Sequence, residues 1–93
     1  MISAIVLVKA EVNRIPEAAQ EIAEIEGISE VYSVTGDVDI IAVARVPRHE
    51  DFADVIADRL NKVAGVLETS THIAFRTYSN DDLEAGFDLG LDG

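Results

Sequence analysis

The sequence predicts an α+β fold in the order β-α-β-β-α-β, a four-stranded antiparallel sheet with two helices on one face. Three observations carry that expectation. Runs dense in Ile and Val alternate with stretches whose apolar residues recur every three or four positions. Two of the helical stretches end on a glycine just ahead of a strand, Gly27 before Ile28 and Gly65 before Val66, so the two halves of the chain echo each other. Ninety-three residues are enough for one domain only.

Met1 to Lys9 carries Ile and Val in both alternating phases, the pattern of a strand covered on both sides. From Arg14 the period lengthens. Ile15, Ala18, Ala19 and Ile22 recur at helical spacing, Pro16 suits a first helical turn, and Glu17 complements the positive end of the helix dipole. Ile28 to Val34 alternates apolar with polar residues as a second strand, Thr35-Gly36-Asp37 has tight-turn chemistry, and Val38 to Val46 returns as a third strand that Pro47 ends. The stripe Phe52, Val55, Ile56, Leu60 and Val63 reads as the second helix. Val66 to Tyr78 reads as the last strand, with Thr69, Thr71, Ile73, Phe75 and Thr77 sharing a face.

This is the split βαβ, ferredoxin-like arrangement. Right-handed crossovers put both helices on one side of the sheet, which leaves the other side bare in a single chain. The first and third strands carry aliphatics on that side too, so pairing of bare faces between copies is expected. Residues 1–78 form the domain. Residues 79–93 form a tail in which Ser79-Asn80-Asp81-Asp82-Leu83-Glu84 has the chemistry of a short helix start, followed by Phe87, Leu89 and Leu91.

Eighteen acidic against seven basic side chains give a net charge of −11, which repels a phosphate backbone, so no direct nucleic-acid partner is expected. The absence of cysteine rules out disulfides, thiolate zinc sites and a cysteine nucleophile, and suits the cytoplasm. Ile2 to Val8 is too short for a membrane span. With two imidazoles only, His49 and His72, neither a metal site nor a cofactor is expected, and no Ser-His-Asp set or phosphate-binding glycine loop is present.

The densest polar group is Thr35, Gly36, Asp37 and Asp39 at the hairpin, with Thr69, Ser70 and Thr71 on the last strand. A free amino acid needs acceptors for its ammonium, which Asp37 or Asp39 could supply, and donors for its carboxylate, which hydroxyls and the Gly36 amide could supply. The same residues also suit a structural hairpin beside a solvated strand.

Val31-Tyr32-Ser33-Val34-Thr35-Gly36-Asp37-Val38-Asp39-Ile40-Ile41, a helix, then Gly65-Val66 leading to Thr69-Ser70-Thr71 resembles the effector-binding domain of the Lrp/AsnC family of transcriptional regulators, often called the RAM domain. Val38 departs from that pattern, which often has an aromatic there. The chain begins at the first strand of the module, so it looks like a stand-alone form without the helix-turn-helix DNA-binding domain. The resemblance implies homodimers made by sheet-to-sheet packing, assembled further into rings such as octamers, with an amino acid effector in clefts between subunits. Carried over by position, it points to Gly36, Asp37, Asp39, Thr69 and Thr71, with Thr35 beside them, and to full-length relatives as partners. Two rival readings use the same residues. One is an oligomerising module with a vestigial cleft; the other is a small enzyme on this frame with His72 as its acid–base group.

Overall fold

The computed structural model describes residues 1–78; the tail expected over residues 79–93 lies outside the described residues. Its elements follow the expected order: β1 (Ile2–Ala10), a single 3-10 turn (Val12–Arg14), α1 (Ile15–Ala23), β2 (Ile28–Ser33), β3 (Ile40–Val46), α2 (Ala53–Arg59) continued by a 3-10 turn (Leu60–Lys62), and β4 (Val66–Ile73). The strands form one antiparallel sheet in the order β2-β3-β1-β4. Several boundaries differ from the sequence reading: β1 runs over Ile2–Ala10 rather than Met1 to Lys9, and α1 ends at Ala23, short of Gly27. β3 begins at Ile40 rather than Val38, because residues 34–39 form a broader loop closed by the Val34 amide on the Asp39 carbonyl at 2.9 Å. β2 stops at Ser33, one residue earlier than read. β4 ends at Ile73 rather than Tyr78, since its last partner on β1 is Ala4 and the Ala74 amide closes on Ser3.

Residues facing each other across antiparallel strands share a side of the sheet, so the pairings assign both faces. Ala4, Val6, Val8 and Ala10 of β1 and Ile40, Ala42, Ala44 and Val46 of β3 point to the helices and are buried. Ala18 and Ile22 of α1, Phe52, and Val55, Ile56 and Leu60 from α2 and its continuation close over them in a single core. Small side chains at the centre of the sheet let both helices approach closely. Ile22, Ile40 and Leu60 then supply the largest fully buried volumes.

Gly27 is fixed by two demands. Its φ is +102°, and a Cβ there would lie 2.8 Å from Cγ2 of Val55. α2 itself is wound with π-type hydrogen bonding. The apolar stripe reads alike under either winding, because Val55, Ile56 and Leu60 stand four and five residues apart. The ion pair Asp54–Arg59 at 3.4 Å does depend on it. Residues five apart are about 140° apart around an α-helix of 3.6 residues per turn and come into line only on the wider turn.

The face away from the helices carries Ser3, Ile5, Leu7 and Lys9 from β1, Ile41, Val43 and Arg45 from β3, Glu30 and Tyr32 from β2, and Glu68, Ser70 and His72 from β4. Ile5 is 42% exposed and Tyr32 50% exposed, while Leu7, Ile41 and Val43 are half-buried by one another. The charges on this face balance, with Lys9 and Arg45 against Glu30 and Glu68, on a chain whose net charge is −11. Glu30 accepts a hydrogen bond from the Tyr32 hydroxyl, and that bond, with the carboxylate's charge, raises the phenol above its ordinary range.

Candidate functional site

The hairpin loop, the end of β1 and the start of β4 converge at one end of the sheet. Asp39 ties them together. Its amide donates to the Val8 carbonyl at 2.9 Å, and its Oδ2 accepts the Ala10 amide at 2.9 Å. Ala10 needs that acceptor because its amide faces the β3 side beyond the last β1–β3 pair, Val8 with Ile40; on the opposite side the pairing of β1 with β4 shifts register between Lys9 and Ala10. A bulge of this kind re-aims the side chains beside it. Asp39→Ala is expected to cost about 1–3 kcal/mol by leaving the part-buried Ala10 amide unpaired, and Asp39→Asn to recover most of it through its amide oxygen. Urea denaturation of both variants checks this.

The other hairpin residues are open to solvent. Gly36 has φ +117° with nothing within 4 Å of where a Cβ would stand, and Thr35 and Asp37 are exposed on either side of it. Val38 is half-buried and leans over the open face of the sheet. There it forms a cleft of about 140 Å³ with Leu7, Lys9, Glu68, Thr69 and Ser70.

Of the six residues singled out in the sequence, Thr69 lines this cleft. Thr69 and Thr71 stand opposite Val8 and Val6, whose side chains point to the helices, and the Thr69 hydroxyl bonds Oδ1 of Asn61 at 2.8 Å. Asp39 is engaged with Ala10, and Thr35, Gly36 and Asp37 rim the loop above. The sequence reading missed Leu7, Lys9 and Glu68, and named Ser70, which also lines the cleft, only as part of the hydroxyl group on the last strand. Their signal is the register: Leu7 faces Ser70 and Lys9 faces Glu68 across β1 and β4, and Lys9 Nζ lies 3.8 Å from Glu68 Oε2. His72 follows on the same face, with Nε2 3.4 Å from the Ser70 hydroxyl.

A larger cleft of about 510 Å³ lies at the far end of the strands, where Gly27, Val46 and Val55 meet Asp54 and Arg59. Two of its carboxylates are already paired, Asp54 with Arg59 and Asp51 with Arg48 at 3.2 Å. Among the described residues, no three His, Asp or Glu side chains converge to hold a metal ion, and no helix is long and apolar enough to cross a membrane.

Comparison with known proteins identifies the family and its fold. Residues 3–83 match the family model described as the Lrp/AsnC ligand binding domain. An uncharacterised HTH-type transcriptional regulator of Pyrococcus furiosus is 35% identical over 80 residues, covering 86% of this chain and 53% of that protein. The solved structure of a Thermus thermophilus protein superposes with a TM-score of 0.81 at 39% identity, over 86% of this chain and all of that one. The feast or famine regulatory protein of Mycobacterium tuberculosis, solved in complex with L-methionine, superposes with a TM-score of 0.70 at 26% identity, over 86% of this chain and 54% of that one. The chain belongs to the Lrp/AsnC family through its ligand-binding domain, and the family is one of transcriptional regulators rather than enzymes. It spans about half the length of the curated relatives it matches.

Proposed function

We propose that the chain is an effector-binding regulatory module: a free amino acid occupies the cleft under Val38, and the module works as an assembly of copies paired through the open sheet face. One observation carries the reading. In a domain of this family, the hairpin loop closes a small cleft over Leu7 and between Lys9 and Glu68, at the margin of an apolar, charge-balanced sheet face. The relative from Mycobacterium tuberculosis was solved with L-methionine, which supports an amino acid as the ligand. Thr35, Gly36 and Asp37 stand exposed in the loop that carries Val38 and would contact the effector or a neighbouring copy; Asp39 holds the loop in place, and Thr69, bonded to Asn61, and Thr71 lie on the strand beneath.

Pairing of open faces makes homodimers, and rings of dimers would bring two hairpin ends together. The effector would act by preferring one assembly, and full-length relatives sharing the same face are the partners through which it would reach transcription in the cytoplasm. Thermal unfolding of the protein against each of the common amino acids tests the reading. An effector at about a hundred times its dissociation constant adds roughly 2.7 kcal/mol to the native state, a shift of about 10–20 °C for a domain of this size. Unchanged melting with all of them would leave an oligomerising module with a vestigial cleft.

A further inference from the structure

We infer that Glu30 of each copy meets His72 of the other when two open faces pair, and that this reciprocal contact selects which faces pair with this one; the inference rests on the pairing proposed above. The observation is the composition of the rows that cross the sheet. In one row Glu30 of β2 stands beside Val43 of β3, Val43 beside Ile5 of β1, and Ile5 beside His72 of β4. In the next row Tyr32 is followed by Ile41, Leu7 and Ser70. Each row has two aliphatic side chains at its middle and two unlike polar groups at its ends. The ends are a carboxylate and an imidazole in the first row, a phenol and an aliphatic hydroxyl in the second.

A two-fold axis makes every contact between copies reciprocal. Set parallel to the strands, between β3 and β1, it lays β2 of one copy over β4 of the other and β3 over β1. Val43 then meets Ile5, Ile41 meets Leu7, Tyr32 meets Ser70 and Glu30 meets His72. Sheets packed face to face in this way stand about 10 Å apart with strands within about 30° of each other, a gap that two long side chains from opposite sheets close together. An axis across the strands instead lays each strand on its own image, so the β2 carboxylate lies over β2 and not over the β4 imidazole.

The chemistry of the two groups fits the first arrangement. His72 Nε2 stands 3.4 Å from the Ser70 hydroxyl within its own chain, which leaves Nδ1 for a group across the interface. Glu30 accepts the Tyr32 hydroxyl, and a carboxylate has further lone pairs with which to accept an imidazole N–H. Because the contact needs one residue of each kind, a face with carboxylates at both positions is rejected by like charge and one with imidazoles at both lacks an acceptor. Selection of this sort works by penalising the wrong face as much as by favouring the right one.

Two variants of the full chain test the inference. Glu30→His puts an imidazole at both ends of the row, and His72→Glu puts a carboxylate at both. Alone, His72→Glu is expected to raise the dissociation constant of its homodimer by about a hundredfold through two like-charge contacts, and Glu30→His by about tenfold through two lost hydrogen bonds. Mixed in equal amounts they restore both contacts, since each imidazole of one chain then faces a carboxylate of the other. The heterodimer is expected to form with an affinity within about tenfold of the natural homodimer. Native mass spectrometry separates it from both homodimers, sedimentation equilibrium gives the affinities, and circular dichroism confirms that each variant is folded. A mixture that associates no more tightly than its components overturns the contact, as does natural affinity in both variants alone; the pairing of open faces stands in either case. A natural chain that remains monomeric overturns the inference together with the pairing on which it rests.

Discussion

Gly27→Ala is expected to destabilise the protein by about 2–5 kcal/mol, more than any single change at the hairpin cleft. Two independent costs add. A φ of +102° is one that an L-residue adopts only at a cost of about 1–2 kcal/mol, and a methyl group 2.8 Å from Val55 Cγ2 overpacks the core for about 1–3 kcal/mol more. Val55 cannot swing aside easily, because it is β-branched, 4% exposed and part of the core between α2 and the sheet. The Gly27 carbonyl also accepts the Arg45 amide at 2.8 Å, so the loop cannot retreat without breaking a sheet-end hydrogen bond. Chemical denaturation of Gly27→Ala, Val55→Ala and the double variant separates the terms. The double variant should recover the steric share and keep the backbone share. A loss below about 1 kcal/mol for Gly27→Ala would mean that the turn relaxes freely, contrary to this packing.

Gly27 also shows what the sequence could and could not tell. Its position after the helical stripe marked the turn between α1 and β2, as Gly65 marked the turn ahead of β4, because a positive φ is a local demand that glycine meets; the helical segments themselves end earlier, at Ala23 and Lys62. The contact with Val55 is not local and left no trace in the pattern. The same division runs through the candidate site. The elements, their order and the aliphatic open face follow from periodicities of two and three to four residues, legible one segment at a time. The partner of the Asp39 carboxylate lies 29 residues away, and the pairing of Lys9 with Glu68 requires the register of strands almost at opposite ends of the chain. Shifting that register by one residue would have turned Thr69 and Thr71, rather than Glu68 and Ser70, toward the open face. Alternation put the two threonines on a common face; only the pairing says which face it is. The π-type winding of α2 was equally hidden, since its buried positions satisfy both helical periods.

The open face bears the second large effect. If copies pair through the open face as proposed, Ile5→Asp is expected to convert that assembly to monomers at micromolar concentration while leaving the far-ultraviolet circular dichroism unchanged. In a single chain Ile5 is 42% exposed at the middle of the sheet, flanked by Val43 on β3 and His72 on β4, so a carboxylate there keeps much of its water and costs the isolated fold little. Packed against a second copy it has no such refuge. A two-fold interface buries the same position twice, and each unpaired buried charge costs about 3–5 kcal/mol, so the dissociation constant should rise by about a thousandfold or more. Sedimentation equilibrium reads the outcome directly. An unchanged mass would place the interface elsewhere on the molecule and remove the reason for the balanced charges of Lys9, Arg45, Glu30 and Glu68 on this side alone. A monomer that still binds the effector would show that the cleft is complete within one chain, whereas a monomer that has lost binding would make the neighbouring copy part of the site. In that second case effector and assembly are linked by necessity, since a ligand that needs two chains stabilises their association in proportion to its own affinity.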